Sequence, residues 1–173
     1  MAELFPIEQI KNNPGCAGTL ENALNAAGIP TLTTEVGAAR VFDRRIIPMF
    51  VEGTMNVLKL HGVVAGPMGR TSKEAGTFVG NAVRPVLATH GGYLELKVEV
   101  RSKVAPGQVV AIQRNSFGEV VREYRTEVGG EVLALQRDAL IEPGWKVAVI
   151  LYHDPDPKCA GDGCPEAEAD YTE

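Results

Sequence analysis

The chain has 173 residues, 45% of them hydrophobic, and a formal net charge of −5 at pH 7. This length suffices for one ordinary domain or two small ones, and the acidic balance without a basic run argues against nucleic acids and anionic membranes as partners. No apolar run is long enough to span a bilayer, and the N-terminus does not have the pattern of a signal peptide. The three scattered cysteines favour reduced thiols and hence a cytoplasmic protein.

Residues 1–66 carry the pattern of an α/β layer, with a helix followed by a strand. Thr19 is predicted to cap a helix with apolar residues at helical spacing, and Gly28 is predicted to end it. Cys16 lies just before this helix. Because no histidine is near it in the sequence, we expect Cys16 to be a packed thiol rather than a nucleophile.

The segment 29–37 is predicted to be a short buried strand, since it is rich in strand-forming residues. It ends on Glu35, two residues before Gly37, which can break the strand. Open α/β sheets carry their chemistry at the carboxyl ends of strands, so Glu35 is a candidate catalytic carboxylate. The alternative is an ordinary surface glutamate at a strand end.

The residues that follow suggest a second helix. Arg40 is a candidate to bind a substrate carboxylate bidentately, and the alternative is a solvated loop arginine. Asp43 is predicted to cap a helix whose regular part starts near Ile47 and ends at His61, with apolar core positions between them. The next two residues, Arg44 and Arg45, stand unfavourably at its positive end and hint at a partner there. His61 is expected to serve the helix end rather than a metal.

Residues 67–84 are predicted to be a linker between domains, weakly structured and extended over 71–79. From residue 85 to 152 apolar and charged residues alternate, as in half-buried strands. The stretches 91–112 and 129–149 repeat one pattern, a strand, a Pro-Gly turn and another strand, and together predict a small all-β sandwich. No pattern assigns a site in this domain, and Tyr93 and Arg122 are only guesses.

Residues 153–173 form an acidic tail that is predicted to be disordered. Cys159 and Cys164, with His153 nearby, offer an alternative as a metal clip. Their spacing is wider than that of a zinc knuckle and no second ligand pair follows, so no metal ligand is assigned.

Several motifs of this chain together resemble the succinylglutamate desuccinylase/aspartoacylase family, and within it the branch similar to N-acetyl-diaminobutyrate deacetylase. The matching motifs are Pro14-Gly15, Gly18-Thr19-Leu20-Glu21, Ala26-Ala27-Gly28-Ile29-Pro30, Thr33-Thr34-Glu35-Val36-Gly37, Gly53-Thr54-Met55-Asn56-Val57-Leu58 and His61-Gly62.

This resemblance implies a zinc-dependent deacylase, a hydrolase of an N-acyl amino acid or related amide. It implies part of a zinc-carboxypeptidase-like α/β layer over 1–66, followed by an all-β barrel-sandwich hybrid domain over 85–152. By the match to the family's Thr-x-Glu-x-Gly motif, Glu35 is the general base and acid. Arg40 is a weaker candidate for the substrate carboxylate, and the alanines beside it depart from the family's glycines.

The family's zinc ligands, a His-x-x-Glu pair and a later histidine, precede the Thr-x-Glu-x-Gly motif. Here His61, His90 and His153 all follow Glu35, so zinc is implied by the resemblance but no ligand is found. The chain therefore corresponds to the C-terminal part of the family only. Whether it is an enzyme stays open, because it fits a truncated product, a subunit of a split enzyme or an inactive β-domain module for binding or assembly. A missing N-terminal half or a second copy would then be its partner.

Barrel-sandwich hybrid domains are also used as biotinyl and lipoyl carriers, which hold their cofactor on a lysine between the repeats. Between Val104 and Trp145 the sequence has no lysine. This excludes attachment of lipoate or biotin at that place. The family resemblance implies instead a β-domain that covers the catalytic cleft.

Overall fold

The computed structural model describes residues 1–12, 18–38 and 40–155. The chain divides into two compact units. The first comprises Met1–Ile10 and Pro14–Phe78, and the second comprises Lys11–Asn13 and Val79–Glu173. Cys16, Cys159 and Cys164 lie outside the described residues, as does the predicted acidic tail from residue 156 onward.

The first unit is built mainly from helices. After a 3-10 turn at Ala2–Leu4 come strand β1 (Gln9–Lys11) and the helices α1 (Leu20–Ala26), α2 (Ile47–Leu60) and α3 (Ser72–Ala75), and then β2 (Phe78–Gly80). Strands β1 and β2 form a two-stranded sheet. The predicted part of an α/β layer is not confirmed, because the described residues between α1 and α2 form no strand.

Helix α1 begins and ends where the sequence predicts. The Thr19 hydroxyl accepts a hydrogen bond from the backbone N–H of Asn22 at 3.3 Å, which satisfies one of the free N–H groups of the first turn. Gly28 has a φ of +77°, a left-handed conformation that lets the chain leave the helix without strain.

Helix α2 starts at Ile47 with Pro48 in its first turn, and His61 and Gly62 end it as predicted. The prediction that Asp43 caps this helix is wrong. The N-cap is Ile46, which makes no side-chain capping bond, and the Asp43 carboxylate binds Arg45 instead. The predicted apolar positions Met49, Phe50, Met55, Val57 and Leu58 are half-buried, and the buried residues of α2 are Gly53 and Asn56.

Of residues 71–79, which were predicted to be extended, only Phe78 and Val79 lie in a strand, because Thr71 and Glu74 form a capping box that starts α3. The Thr71 hydroxyl accepts a hydrogen bond from the backbone N–H of Glu74. In return, the Glu74 carboxylate accepts one from the Thr71 backbone N–H at 2.8 Å. Gly76, with a φ of +65°, ends the turn of helix.

The second unit is a sandwich of two four-stranded sheets. Its strands are β3 (Ala82–Leu87), β4 (Gly92–Leu96), β5 (Lys103–Val104), β6 (Val109–Arg114), β7 (Val120–Arg125), β8 (Gly130–Leu135), β9 (Leu140–Ile141) and β10 (Lys146–Tyr152). One sheet has the order β3-β10-β8-β5 and the other β7-β6-β4-β9, with antiparallel neighbours. The strand predicted from the alternation of residues 94–101 stops at Leu96, and Val100 is exposed.

The predicted repeat organises this sandwich as a pseudo-two-fold arrangement and extends further than the sequence suggested. The two sheet orders become identical when β3 is equated with β7, β4 with β8, β5 with β9 and β6 with β10. The register agrees, since Arg84 lies opposite Ile150 in one sheet and Arg122 opposite Gln113 in the other. The repeat is therefore four strands long, β3–β6 and β7–β10.

The two repeats are interleaved. Strand β5 of the first repeat pairs with β8 of the second, and β9 of the second pairs with β4 of the first. Both repeats contribute to the core between the sheets, which consists of Val86, Ala88, Val104, Val110, Ala111, Tyr124, Val132, Ile141, Val147, Ala148 and Ile150. No helix among the described residues is long and apolar enough to cross a membrane.

Candidate functional site

Glu35 lies in an irregular segment after α1, so the predicted buried strand is wrong. Residues 31–36 form no regular structure, and the Glu35 side chain is exposed. A strand needs a partner for its backbone groups, and the described chain supplies none here. The side chain of Asn25 on α1 takes that place: its oxygen accepts from Thr31 N–H at 2.9 Å and its amide donates to Thr31 C=O at 3.2 Å.

A second contact holds the Glu35 segment against α1. The Thr33 hydroxyl donates to the Glu21 carboxylate at 2.6 Å. The segment is thus positioned by polar contacts of Thr31 and Thr33, while Glu35, two residues further along, makes no hydrogen bond or ion pair with a described residue. A carboxylate without a partner is available to a substrate or to water.

Arg40 is exposed and has a φ of +62°, in the left-handed region that is uncommon for residues other than glycine. Within the described part of the chain its guanidinium has no hydrogen-bonding partner, and no bond joins it to Glu35. The structure therefore leaves both predicted site residues open to solvent without a contact between them, and their roles stay predictions.

Asp43, next along this loop, carries a strongly perturbed carboxyl group. The guanidinium of Arg45 donates to both its oxygens, at 2.9 Å from Nε and 2.7 Å from the terminal nitrogen, and the Arg45 backbone N–H donates at 2.9 Å. These bonds favour the ionised form and lower the pKa of Asp43 to about 2. The position of Arg45 near a helix start suggests a partner outside the loop, but Arg45 is paired with Asp43 within the loop.

This pairing predicts a pH dependence. Because the folded-state pKa of Asp43 lies below its ordinary value of 3.8, the stabilisation is present above about pH 4 and is lost as the pH falls toward 2. A carbon-13 NMR titration of the side-chain carboxyl should give a midpoint near 2. In the variant Arg45→Gln the midpoint should return toward 3.8. A midpoint that is the same in both proteins would contradict the assignment.

Asn56, a residue of the Gly53–Leu58 motif, is the buried polar residue that fixes this unit, and residue-by-residue analysis of the sequence missed it. Its side chain is fully buried, its amide donates to the carbonyls of Leu4 at 2.9 Å and Arg70 at 2.8 Å, and its oxygen accepts from Gly69 N–H at 2.7 Å. One side chain thus joins α2 to two distant loops. The available signal was an asparagine on the inner face of a helix, where only a satisfied amide is tolerated.

Beside it, Glu52 on α2 binds the same loop. Its carboxylate accepts from Arg70 N–H at 2.8 Å and from the Arg70 guanidinium at 2.9 Å. These hydrogen bonds from the backbone and then the side chain of Arg70 hold the pKa of Glu52 below its usual range. They hold the loop that follows α2 in place, so the role of Glu52 is structural.

The described residues do not form a metal site. No group of three histidine, cysteine, aspartate or glutamate side chains among them is placed to hold a metal ion. His61 caps α2, and the ring of His90 is bonded to Thr89 Oγ1 at 2.9 Å. The described residues thus offer no ligand set for the zinc that the resemblance implies.

Comparisons with known proteins show which solved structures this chain resembles. No protein-family model and no curated protein matches the chain. Among solved structures, the apo form of the ectoine utilization protein EutE (DoeB) from Ruegeria pomeroyi matches with a TM-score of 0.76 and 24% identity, covering 88% of this chain and 49% of that one. Its product-bound form matches with a TM-score of 0.70 and 26% identity, covering 79% of this chain and 42% of that one.

A succinylglutamate desuccinylase/aspartoacylase from Rhodobacter sphaeroides matches with a TM-score of 0.69 and 22% identity, covering 81% of this chain and 45% of that one. The chain resembles the succinylglutamate desuccinylase/aspartoacylase family. The likeness to this family shows the fold, and the chain spans about half the length of the solved structures that it matches. That share is consistent with the expected match to one part of the family fold only.

Proposed function

We propose that this chain is the C-terminal part of a deacylase that hydrolyses an N-acyl amino acid or related amide. The observation that carries the proposal is the fold likeness over 88% of the chain to EutE, at a TM-score of 0.76. That a product-bound form of that protein exists, at 26% identity to this chain, supports an enzymatic role. The proposal leaves the zinc ligands to residues outside the described ranges, since no group of three ligands is found among the described residues.

In this proposal Glu35 transfers the proton. Its carboxylate accepts a proton from the attacking water as oxygen bonds to the acyl carbon, and donates it to the amine nitrogen as the carbon–nitrogen bond breaks. The exposed, unpartnered position of the side chain is compatible with this role. Arg40, also exposed, is the proposed contact for the substrate carboxylate.

The apolar surface of the first unit supports a missing partner. Leu20, Phe42 and Val63 expose 74%, 77% and 68% of their surface, which would let a partner bury apolar area here. The N-terminal half of the family fold, in the same polypeptide or another, is the proposed cover. A second copy of this chain is the other candidate.

The test is hydrolysis of N-acetyl-diaminobutyrate and other N-acyl amino acids by this chain with zinc, alone and together with a polypeptide that carries a His-x-x-Glu motif. Where activity appears, Glu35→Gln should lower kcat about 100-fold because the proton transfer is lost. The control Glu99→Gln removes an exposed charge from the second unit and should leave kcat within twofold.

Two results would count against this function. Equal activity of Glu35→Gln and Glu99→Gln would remove Glu35 from the reaction. Absence of hydrolysis in every combination would favour the second candidate, a β-domain module for binding or assembly, which the interleaved sandwich of residues 82–152 supports as a self-contained fold.

A further inference from the structure

The pseudo-two-fold arrangement of the second unit produces a cavity between the repeats. Strands β3 and β7 occupy equivalent edges of the two sheets. A cavity of about 290 Å³ lies between them, lined by positions 84–87 and 89 of the first repeat and by the equivalent positions 122–125 and 127 of the second. Because each lining position of one repeat has its counterpart in the other, the cavity lies on the pseudo-two-fold axis.

Two arginines occupy equivalent places in this cavity. Arg84 pairs with Ile150 in the register of its sheet, and Arg122 pairs with the equivalent Gln113 in the other. Side chains two residues apart on a strand share a face. Arg84 therefore shares the face of the core residue Val86, and Arg122 shares that of the core residue Tyr124. Both arginines line the cavity; Arg84 is half-buried and Arg122 is exposed.

The neighbouring groups neutralise only part of this charge. Arg125 is paired with Glu123 at 2.6 Å. Arg84 donates to the hydroxyl of Tyr152, which donates in turn to Asp154 at 3.1 Å. Arg122 makes no hydrogen bond or ion pair with any residue in the described ranges, and Glu127 is the remaining carboxylate of the lining. The lining thus holds three arginines and two glutamates, and Arg122 is the arginine without a partner among the described residues, in a chain whose net charge is −5.

The floor of the cavity is fixed and differs between the repeats. Tyr124 is 4% exposed; its hydroxyl accepts from Thr89 N–H at 3.0 Å and donates to the Gln113 side-chain oxygen, while the Gln113 amide donates to His90 C=O at 2.6 Å. In the other repeat the equivalent pair is apolar, Val86 with Ile150. One wall is therefore polar and rigid, and the other is aliphatic.

We propose that this cavity binds a small oxyanion, a carboxylate or a phosphate, between Arg84 and Arg122. Guanidinium groups recognise both anions with paired hydrogen bonds, and two of them on opposite sides of an axis suit a dianion with oxygens at both ends. The volume lies at the lower end of ligand pockets, which selects a small molecule. This inference is independent of the reaction proposed for Glu35.

The test is a nitrogen-15 NMR titration of the full 173-residue chain with sodium phosphate and, separately, sodium succinate, at an ionic strength held constant with sodium chloride. We expect saturable shifts of the amides at positions 84–89 and 122–127 with at least one of the two anions. The anion that binds more tightly shows whether the natural ligand carries a phosphate or a carboxylate.

Arg122→Gln should raise the dissociation constant of the anion at least tenfold. Because Arg122 is exposed, this variant should keep the wild-type spectrum elsewhere. Arg84→Lys keeps the charge but loses the paired geometry and should weaken binding about fivefold. The matched control Arg137→Gln removes the same charge from an exposed arginine outside the cavity and should change binding less than twofold. Shifts that do not saturate, or equal losses in Arg122→Gln and Arg137→Gln, would overturn the proposal.

Discussion

Replacing Asn56 by alanine should destabilise the first unit by about 4 kcal/mol, since each buried backbone group left without a partner costs roughly 1–3 kcal/mol. The side chain is fully buried and bonds the carbonyls of Leu4 and Arg70 and the N–H of Gly69. Alanine makes none of these bonds and admits no obvious replacement. Hydrogen exchange of the α2 amides in the folded protein measures the loss directly.

Asn25→Ala is the matched control for this variant. Asn25 also bonds both backbone groups of another segment, the N–H and C=O of Thr31, but it is exposed. Water replaces its bonds when the amide is removed, so the cost should stay below about 1 kcal/mol. If both variants lose the same protection in α2, burial of Asn56 is not the source of its effect.

Replacing Gly130 by alanine should destabilise the sandwich by about 3 kcal/mol or more, the cost of forcing an atom into a packed site. A Cβ at this position would overlap the Leu151 carbonyl oxygen and lie 3.0 Å from Tyr152 Cβ, on the neighbouring strand β10. Backbone atoms of a paired strand cannot move aside without breaking the sheet. Urea unfolding followed by the fluorescence of Trp145, the single tryptophan, reports the shift.

Two other glycines provide comparison variants for this prediction. Gly92 is the equivalent residue of the first repeat, and its Cβ would lie 2.5 Å from the Arg114 carbonyl oxygen, so Gly92→Ala should be comparably unstable. Gly91, its neighbour, would place a Cβ no closer than 3.4 Å to another atom, so Gly91→Ala should stay within about 1 kcal/mol of the wild type. A wild-type midpoint for Gly130→Ala would disprove the close approach of β8 and β10.

The sequence predicted those features that depend on local chemistry. Thr19 and Gly28 bound α1, and the Pro-Gly turns at Gly107 and Gly144, with φ of +81° and +87°, mark the repeat that builds the sandwich. These succeed because a cap or a left-handed turn is decided by a few neighbouring residues.

The failures have a different cause, since they depend on distant partners. The residues before Glu35 have strand propensity, but a strand forms only where another strand accepts its backbone groups, and Asn25 takes that place. The two-fold relation of Arg84 and Arg122 was missed although Val83-Arg84 recurs as Val121-Arg122 at the same spacing as Gly91-Gly92 and Gly129-Gly130, because the repeat was recognised only from the glycine pairs and the Pro-Gly turns. The candidate site was therefore suggested by family motifs rather than by periodicity.

The exchange of β5 and β9 between the repeats has a consequence for the history and the folding of this domain. In each sheet the two central strands come from one repeat and both edge strands from the other, so neither repeat can complete a sheet until both are present. Tandem repeats of solenoid proteins grow by adding copies to an open end, whereas this closed, reciprocal pairing admits two copies and no third. Such an architecture is what a duplicated ancestral gene would leave if its product once folded only as a dimer of identical peptides.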